Sequence, residues 1–191
     1  LYNKLENDAK SVEYMQKYVD TGDVTLQDYF ILSNRYKNLG LTLPEGSPER
    51  VEAANNGIKY IDLALESAAN KGPLFRNKAT LLMVRDGANN TPELIETYQA
   101  MIAAYDEDPE NINKYAEAYK TAYTRMGSYY MGLEDKDKAR EYFQKVLEID
   151  HNNGIVAKPD DEISIIVTSQ NPELSAIFNL PLVTTLAGRG S

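Results

Sequence analysis

Residue types that do chemistry are sparse in this 191-residue chain, and they do not converge. The one histidine, His151, stands beside Asp150. A metal centre or a nucleophile–base relay needs several such groups together, so a lone imidazole is expected to be a helix-end residue. Cysteine is absent, which removes disulfides, thiolate nucleophiles and thiolate-bound zinc. Acidic residues are plentiful, but none follows the spacing of a calcium loop. Gly127 and Gly132 belong to a helical pattern and do not follow a strand, so they make no phosphate-cradling loop. With no paired nucleophile and base, no enzyme activity is expected, and no cofactor or metal. Tyrosine occurs fourteen times, with Tyr115, Tyr119, Tyr123 and Tyr130 along one helical stretch. Packing between helices is expected of them rather than a ladder for stacking a ligand. Asn89-Asn90-Thr91 has the form of a glycosylation acceptor, but Pro92 follows it and the motif decides nothing.

Composition narrows the partners. Hydrophobic residues make up 42% and charged residues 26%, the balance of a folded domain with a real core. The formal net charge of −9 opposes nucleic acid and anionic lipid, which call for clustered Lys and Arg. No apolar run approaches the roughly 20 residues of a membrane-spanning helix, so no transmembrane segment is expected. The chain opens Leu1-Tyr2-Asn3 without Met, and the expectation is that a segment, with any signal peptide, has been lost ahead of it.

The elements that would position side chains are helices. Leu5, Val12, Met15 and Val19 recur at helical spacing from Asn3 to about Asp20. Thr21-Gly22-Asp23 breaks that pattern. Thr25, with Asp28 three residues on, caps a second helix carrying Tyr29, Leu32 and Tyr36, which is expected to stop at Gly40 in a left-handed cap. Ser47-Pro48-Glu49 opens a third, a hydroxyl cap with proline at the first helical position, running to about Gly72. Helices are then expected over Asn77 to Asp86, Pro92 (capped by Thr91) to Tyr105, Ile112 to Leu133, and Asp135 to Asp150.

Lys120 to Asn153 carries a pattern of its own: Tyr123, Met126-Gly127, Tyr130, Ala139, Phe143 and Val146. Gly127 and Ala139 are small where two helices approach, and the aromatics fill the space between hairpins. These residues resemble the tetratricopeptide signature. His151 stands where that family usually has Pro. The same offsets over Lys78 to Asn111 give Leu81, Val84, Arg85, Ala88, Thr97, Met101, Ala104 and Pro109, a degenerate copy with Arg85 in the glycine slot. A third begins at Leu26 with Tyr29, Leu32, Ser33 and Tyr36 and resumes at Gly57, Ile61 and Ala64. The likeness covers about 26–153. It implies an all-α fold: a right-handed superhelix of tetratricopeptide-like helical hairpins, about seven helices, with a C-terminal extended or β-strand tail.

The resemblance also implies a function. Such repeats are non-catalytic scaffolds that bind a peptide or partner protein in a concave groove lined by the first helix of each hairpin. The non-consensus positions there are Gln27, Phe30, Asn34 and Lys37; Leu82, Asp86 and Asn89; and Thr124, Ser128 and Met131. Some members grip a C-terminal carboxylate with a Lys/Asn/Arg clamp. Only Asn34 and Arg125 match its slots, while Phe30, Ala79 and Thr121 do not, so that clamp is not expected.

Beyond Asn153 the pattern changes. Residues 1–153 read as the repeat domain and 154–191 as an extended tail. Lys158-Pro159-Asp160-Asp161-Glu162 leads into Ile163-Ser164-Ile165-Ile166-Val167-Thr168, a β-branched run that reads as a strand with an edge open to another chain. With Pro172-Glu173-Leu174-Ser175, the stretch 158–181 resembles the start of the periplasmic domain of outer-membrane polysaccharide export proteins. That likeness implies an alternative role, as an assembly or structural component of the bacterial cell envelope, and a periplasmic place. A family-specific extension and a foreign segment joined to the array are the competing readings of the tail.

Overall fold

A computed structural model of the protein describes residues 2–107 and 114–152. Among the described residues seven α-helices follow one another: α1 (Tyr2–Val19), α2 (Leu26–Thr42), α3 (Pro48–Ser67), α4 (Gly72–Asp86), α5 (Pro92–Asp106), α6 (Ala116–Gly132) and α7 (Lys136–Asn152). No strand occurs among the described residues. Each helix packs on the next, and α2 also touches α4, two places on in the order, with α3 packed on both. That skip contact makes a concave face from two helices that are not neighbours in sequence. The strand expected at Ile163–Thr168, the tail 154–191 and the side chain of His151 lie outside the described residues.

Helix starts obey their local chemistry. Thr25 caps α2 in a reciprocal box: its hydroxyl accepts from the Asp28 amide at 3.4 Å, and the Asp28 carboxylate accepts from the Thr25 amide at 2.8 Å. Ser47 accepts from the Arg50 amide ahead of Pro48, and Thr91 from the Leu94 amide ahead of Pro92. Each cap satisfies an amide that the helix cannot, for roughly 1 kcal/mol. All three were readable in the sequence.

The boundaries near glycines were not. Gly40 does not end α2 in a left-handed cap. It is helical and buried, the helix runs to Thr42, and a Cβ at Gly40 would lie 2.7 Å from Val84 Cγ1. Its glycine is required by close approach to α4, not by backbone sign. The third helix ends at Ser67, short of Gly72, and α4 begins at Gly72 instead of Asn77. Gly72-Pro73 is itself a start signal, with proline in the first turn. A Cβ on Gly72 would run into the Tyr105 ring, so α5 closes down on the beginning of α4.

The main core gathers α3 to α6 around Ile61, Leu81, Leu94, Met101, Ala122 and Met126, each at most 1% exposed. Burying one such large side chain contributes roughly 1.5–3 kcal/mol. In the last hairpin Ala139 and Phe143 are buried, and Gly127 lies beneath the Phe143 ring, whose atoms would stand 2.7–2.9 Å from a Cβ there. Arg85 occupies the matching glycine slot of the degenerate copy. Close packing is replaced there by charge: Arg85 Nε and Nη2 donate to Asp86 at 2.7 and 2.8 Å, and Nη2 to Glu93 at 2.8 Å.

Candidate functional site

The concave face between α2 and α4 holds a cavity of about 570 Å³. From α2 it takes Phe30, Asn34 and Lys37. The spacing i, i+4, i+7 puts all three on one stripe of the helix. From α4 it takes Pro73, Arg76, Asn77 and Thr80, again a single stripe. Asn70 precedes that helix, and Tyr105, Lys114 and Tyr115 close the far end. The rings of Tyr105 and Tyr115 stack with centroids 3.9 Å apart at 14°.

One polar network ties the two stripes together. Lys37 Nζ donates to Asn34 Oδ1 and to Asn77 Oδ1, both at 2.7 Å. Asn77, only 5% exposed, donates through Nδ2 to Ser33 Oγ at 3.0 Å. Asn34 donates to the Phe30 carbonyl one turn back at 3.0 Å. The Lys37 ammonium is thus satisfied by neutral amide oxygens. Burial, and then the nearby Arg76 charge, hold its pKa below that of an ordinary lysine. Burial raises the Tyr105 hydroxyl, and Arg76 partly opposes that shift. Among the described residues no Asp or Glu lines the cavity.

The expected groove positions divide by helix. Phe30, Asn34 and Lys37 line the cavity, whereas Gln27, exposed in the first turn of α2, does not. On α4 the expected stripe is displaced. Leu82 is 1% exposed and belongs to the main core, so it presents nothing to a partner. Asp86 is engaged by Arg85 and receives the Thr91 hydroxyl at 3.4 Å, while Asn89 is exposed and donates to the Asp86 carbonyl at 2.9 Å. Leu82 lies two residues past Thr80, about 200° around the helix, which turns a groove position into a core position. Thr124, Ser128 and Met131 are half-buried on α6 and do not line the cavity, and Met131 packs on the Ala139–Phe143 cluster.

Arg76, Asn77, Lys114 and the Tyr105–Tyr115 pair were not anticipated. A usable signal existed for two of them: Gly72-Pro73 as a helix start would have moved the α4 stripe onto Arg76 and Asn77. Arg125, which matches a clamp slot, instead donates to the Ala88 carbonyl at 3.3 Å and to Asn90 Oδ1 at 3.4 Å, bracing the turn between α4 and α5.

Residues 121–153, which span α7 and most of α6, match the tetratricopeptide repeat family model. The matched stretch coincides with the hairpin in which Gly127 packs beneath Phe143. No curated protein and no solved structure is significantly similar to the chain. Among the described residues no helix is long and apolar enough to cross a membrane.

Proposed function

We propose that the protein is a non-catalytic interaction scaffold that takes an extended peptide segment of a partner protein in the concavity between α2 and α4. The repeat points to a protein partner. The observation that carries the finer reading is the concavity itself, about 570 Å³ and lined by matching stripes of two helices. Its shape and mixture suit a peptide: Phe30 and the stacked tyrosines offer apolar surface, while Asn34, Thr80 and the cations offer polar contact. A pocket of this make-up fixes orientation with few polar groups and draws affinity from burial around aromatic anchors.

The test is to fill the cavity. Thr80→Trp puts an indole between the two stripes on a helix face that is not packed in the core. Peptides selected from a random library displayed on phage against the parent protein are expected to lose binding to this variant, with helicity by circular dichroism unchanged. Selected peptides that bind the filled variant as well as the parent would place recognition on another surface. The envelope-assembly alternative draws on residues 158–181, which lie outside the described residues, and nothing in the helices favours it.

A further inference from the structure

We infer that the α2–α4 concavity selects acidic segments, with Lys37, Arg76 and Lys114 receiving the partner's side-chain carboxylates. The inference rests on the peptide-binding reading above and names the chemistry of the partner.

The argument is one of charge placement. Acids outnumber bases 29 to 20 in this chain, so anions are available wherever a cation needs one. Several cations elsewhere do use them: Lys10 pairs with Glu6, Lys78 with Asp62, Arg85 with Asp86 and Glu93, and Lys145 with Glu141. In the concavity three cations gather, and among the described residues no Asp or Glu lines the wall. Arg76 is exposed and makes no ion pair among the described residues, and Lys114 lies over its neighbour's ring, 5.6 Å from the Tyr115 centroid. Lys37 has neutral oxygens alone for partners, at a depth where the charged form is disfavoured. Carboxylates entering the concavity would pair with these cations and relieve the cost of holding them around one space.

The overall charge of −9 does not cancel this preference. Salt screens remote acids beyond roughly 8 Å at physiological ionic strength, whereas contacts made inside a partly desolvated concavity are screened much less. The guanidinium of Arg76 can take a carboxylate through two parallel hydrogen bonds, and the ammonium groups add charge without imposing an angle. The cations stand beside Phe30 and the Tyr105–Tyr115 stack, so acidic residues alternating with apolar ones match the wall better than a purely acidic run.

Two dye-labelled peptides of equal length, one alternating Glu and Leu and one alternating Lys and Leu, provide the probe, read by fluorescence anisotropy on the full chain. The Glu-Leu peptide is expected to bind, to weaken with added salt, and to bind about tenfold or more weakly when Arg76→Glu and Lys114→Glu are combined. Lys4→Glu, an equal change of charge for each site on the first turn of α1, is expected to leave affinity unaltered. No measurable binding of the Glu-Leu peptide, an equal affinity for the Lys-Leu peptide, or indifference to the double reversal each overturns the inference. Displacement by a single-stranded oligonucleotide at lower concentration than by unlabelled Glu-Leu peptide overturns it too. If the Lys-Leu peptide binds instead and Thr80→Trp abolishes that binding, the charge preference is wrong and the groove reading stands. If Thr80→Trp affects neither peptide, the groove reading fails as well.

Discussion

One side chain, Asn77, ties α4 to α2 from both ends of its amide. Asn77 is 5% exposed and spends its amide on both sides, accepting from Lys37 at 2.7 Å and donating to Ser33 at 3.0 Å. Asn77→Ala would leave the buried Ser33 hydroxyl without its donor and the half-buried Lys37 ammonium with one oxygen fewer. Such orphaned groups commonly cost about 1–3 kcal/mol each, so a lower urea midpoint is expected with the slope unchanged. An unmoved midpoint would mean that water replaces the amide and that the two helices are not held there. Gly127 offers a second check. Alanine normally gains about 1 kcal/mol over glycine inside a helix, but here its Cβ would meet the Phe143 ring at 2.7 Å. Overpacking of about 1–3 kcal/mol outweighs the propensity gain, so Gly127→Ala is expected to lower the melting temperature and Gly127→Leu to lower it further. A stabilised Gly127→Ala would show that Phe143 can move aside.

At the scale of elements, the turn between α4 and α5 is held by charge as well as by a cap. The Arg85 hydrogen bond, opposed by burial and aided by the Arg85 charge, keeps the Asp86 carboxyl below its ordinary pKa. A depressed carboxyl contributes stability above its unfolded pKa of about 3.9, and loses it as pH falls through the lower folded value. Asp86→Asn is therefore expected to cost stability near pH 7, with the gap from the parent closing below about pH 4. Urea titrations across that range measure it, and a gap that stays constant down to about pH 2 would remove the ion pair from the account. Thr91→Ala acts on the same turn without titrating. The lost cap on the Leu94 amide is expected to cost roughly 1 kcal/mol at pH 7, and the loss of the Thr91 hydroxyl from the Asp86 carboxylate adds a smaller part that fades in acid.

Across the whole molecule, each hairpin touches its neighbours and the concavity lies between α2 and α4, well before the end of α7 in sequence. Stability in such an array is a sum of local interfaces. Truncation after Asn153 is accordingly expected to preserve both helicity and peptide binding. Loss of binding in a truncated protein of parental helicity would move the functional element into the tail and favour the edge-pairing alternative.

Much of this was legible in the linear chain. Helix number, the three hydroxyl caps and the last hairpin follow from interactions within a few residues: Ser47-Pro48 and Thr91-Pro92 start helices whatever lies across from them, and Gly127, Ala139 and Phe143 repeat a packing pattern. On α2 the stripe Phe30–Asn34–Lys37 could be placed because Thr25 anchors the helix register. What tertiary structure alone decided is which face of α4 meets α2. A shift of two residues rotates a helix by about 200°, so repeat offsets carried onto a degenerate copy put Leu82 in the groove when it is in the core. Gly40 likewise reads as a helix stop until Val84, contributed from α4, shows why no side chain fits there. The cationic wall has the same origin: Lys37, Arg76 and Lys114 are far apart in sequence, and only the approach of α2, α4 and the residues ahead of α6 brings them around one cavity, with no acid among its described lining residues.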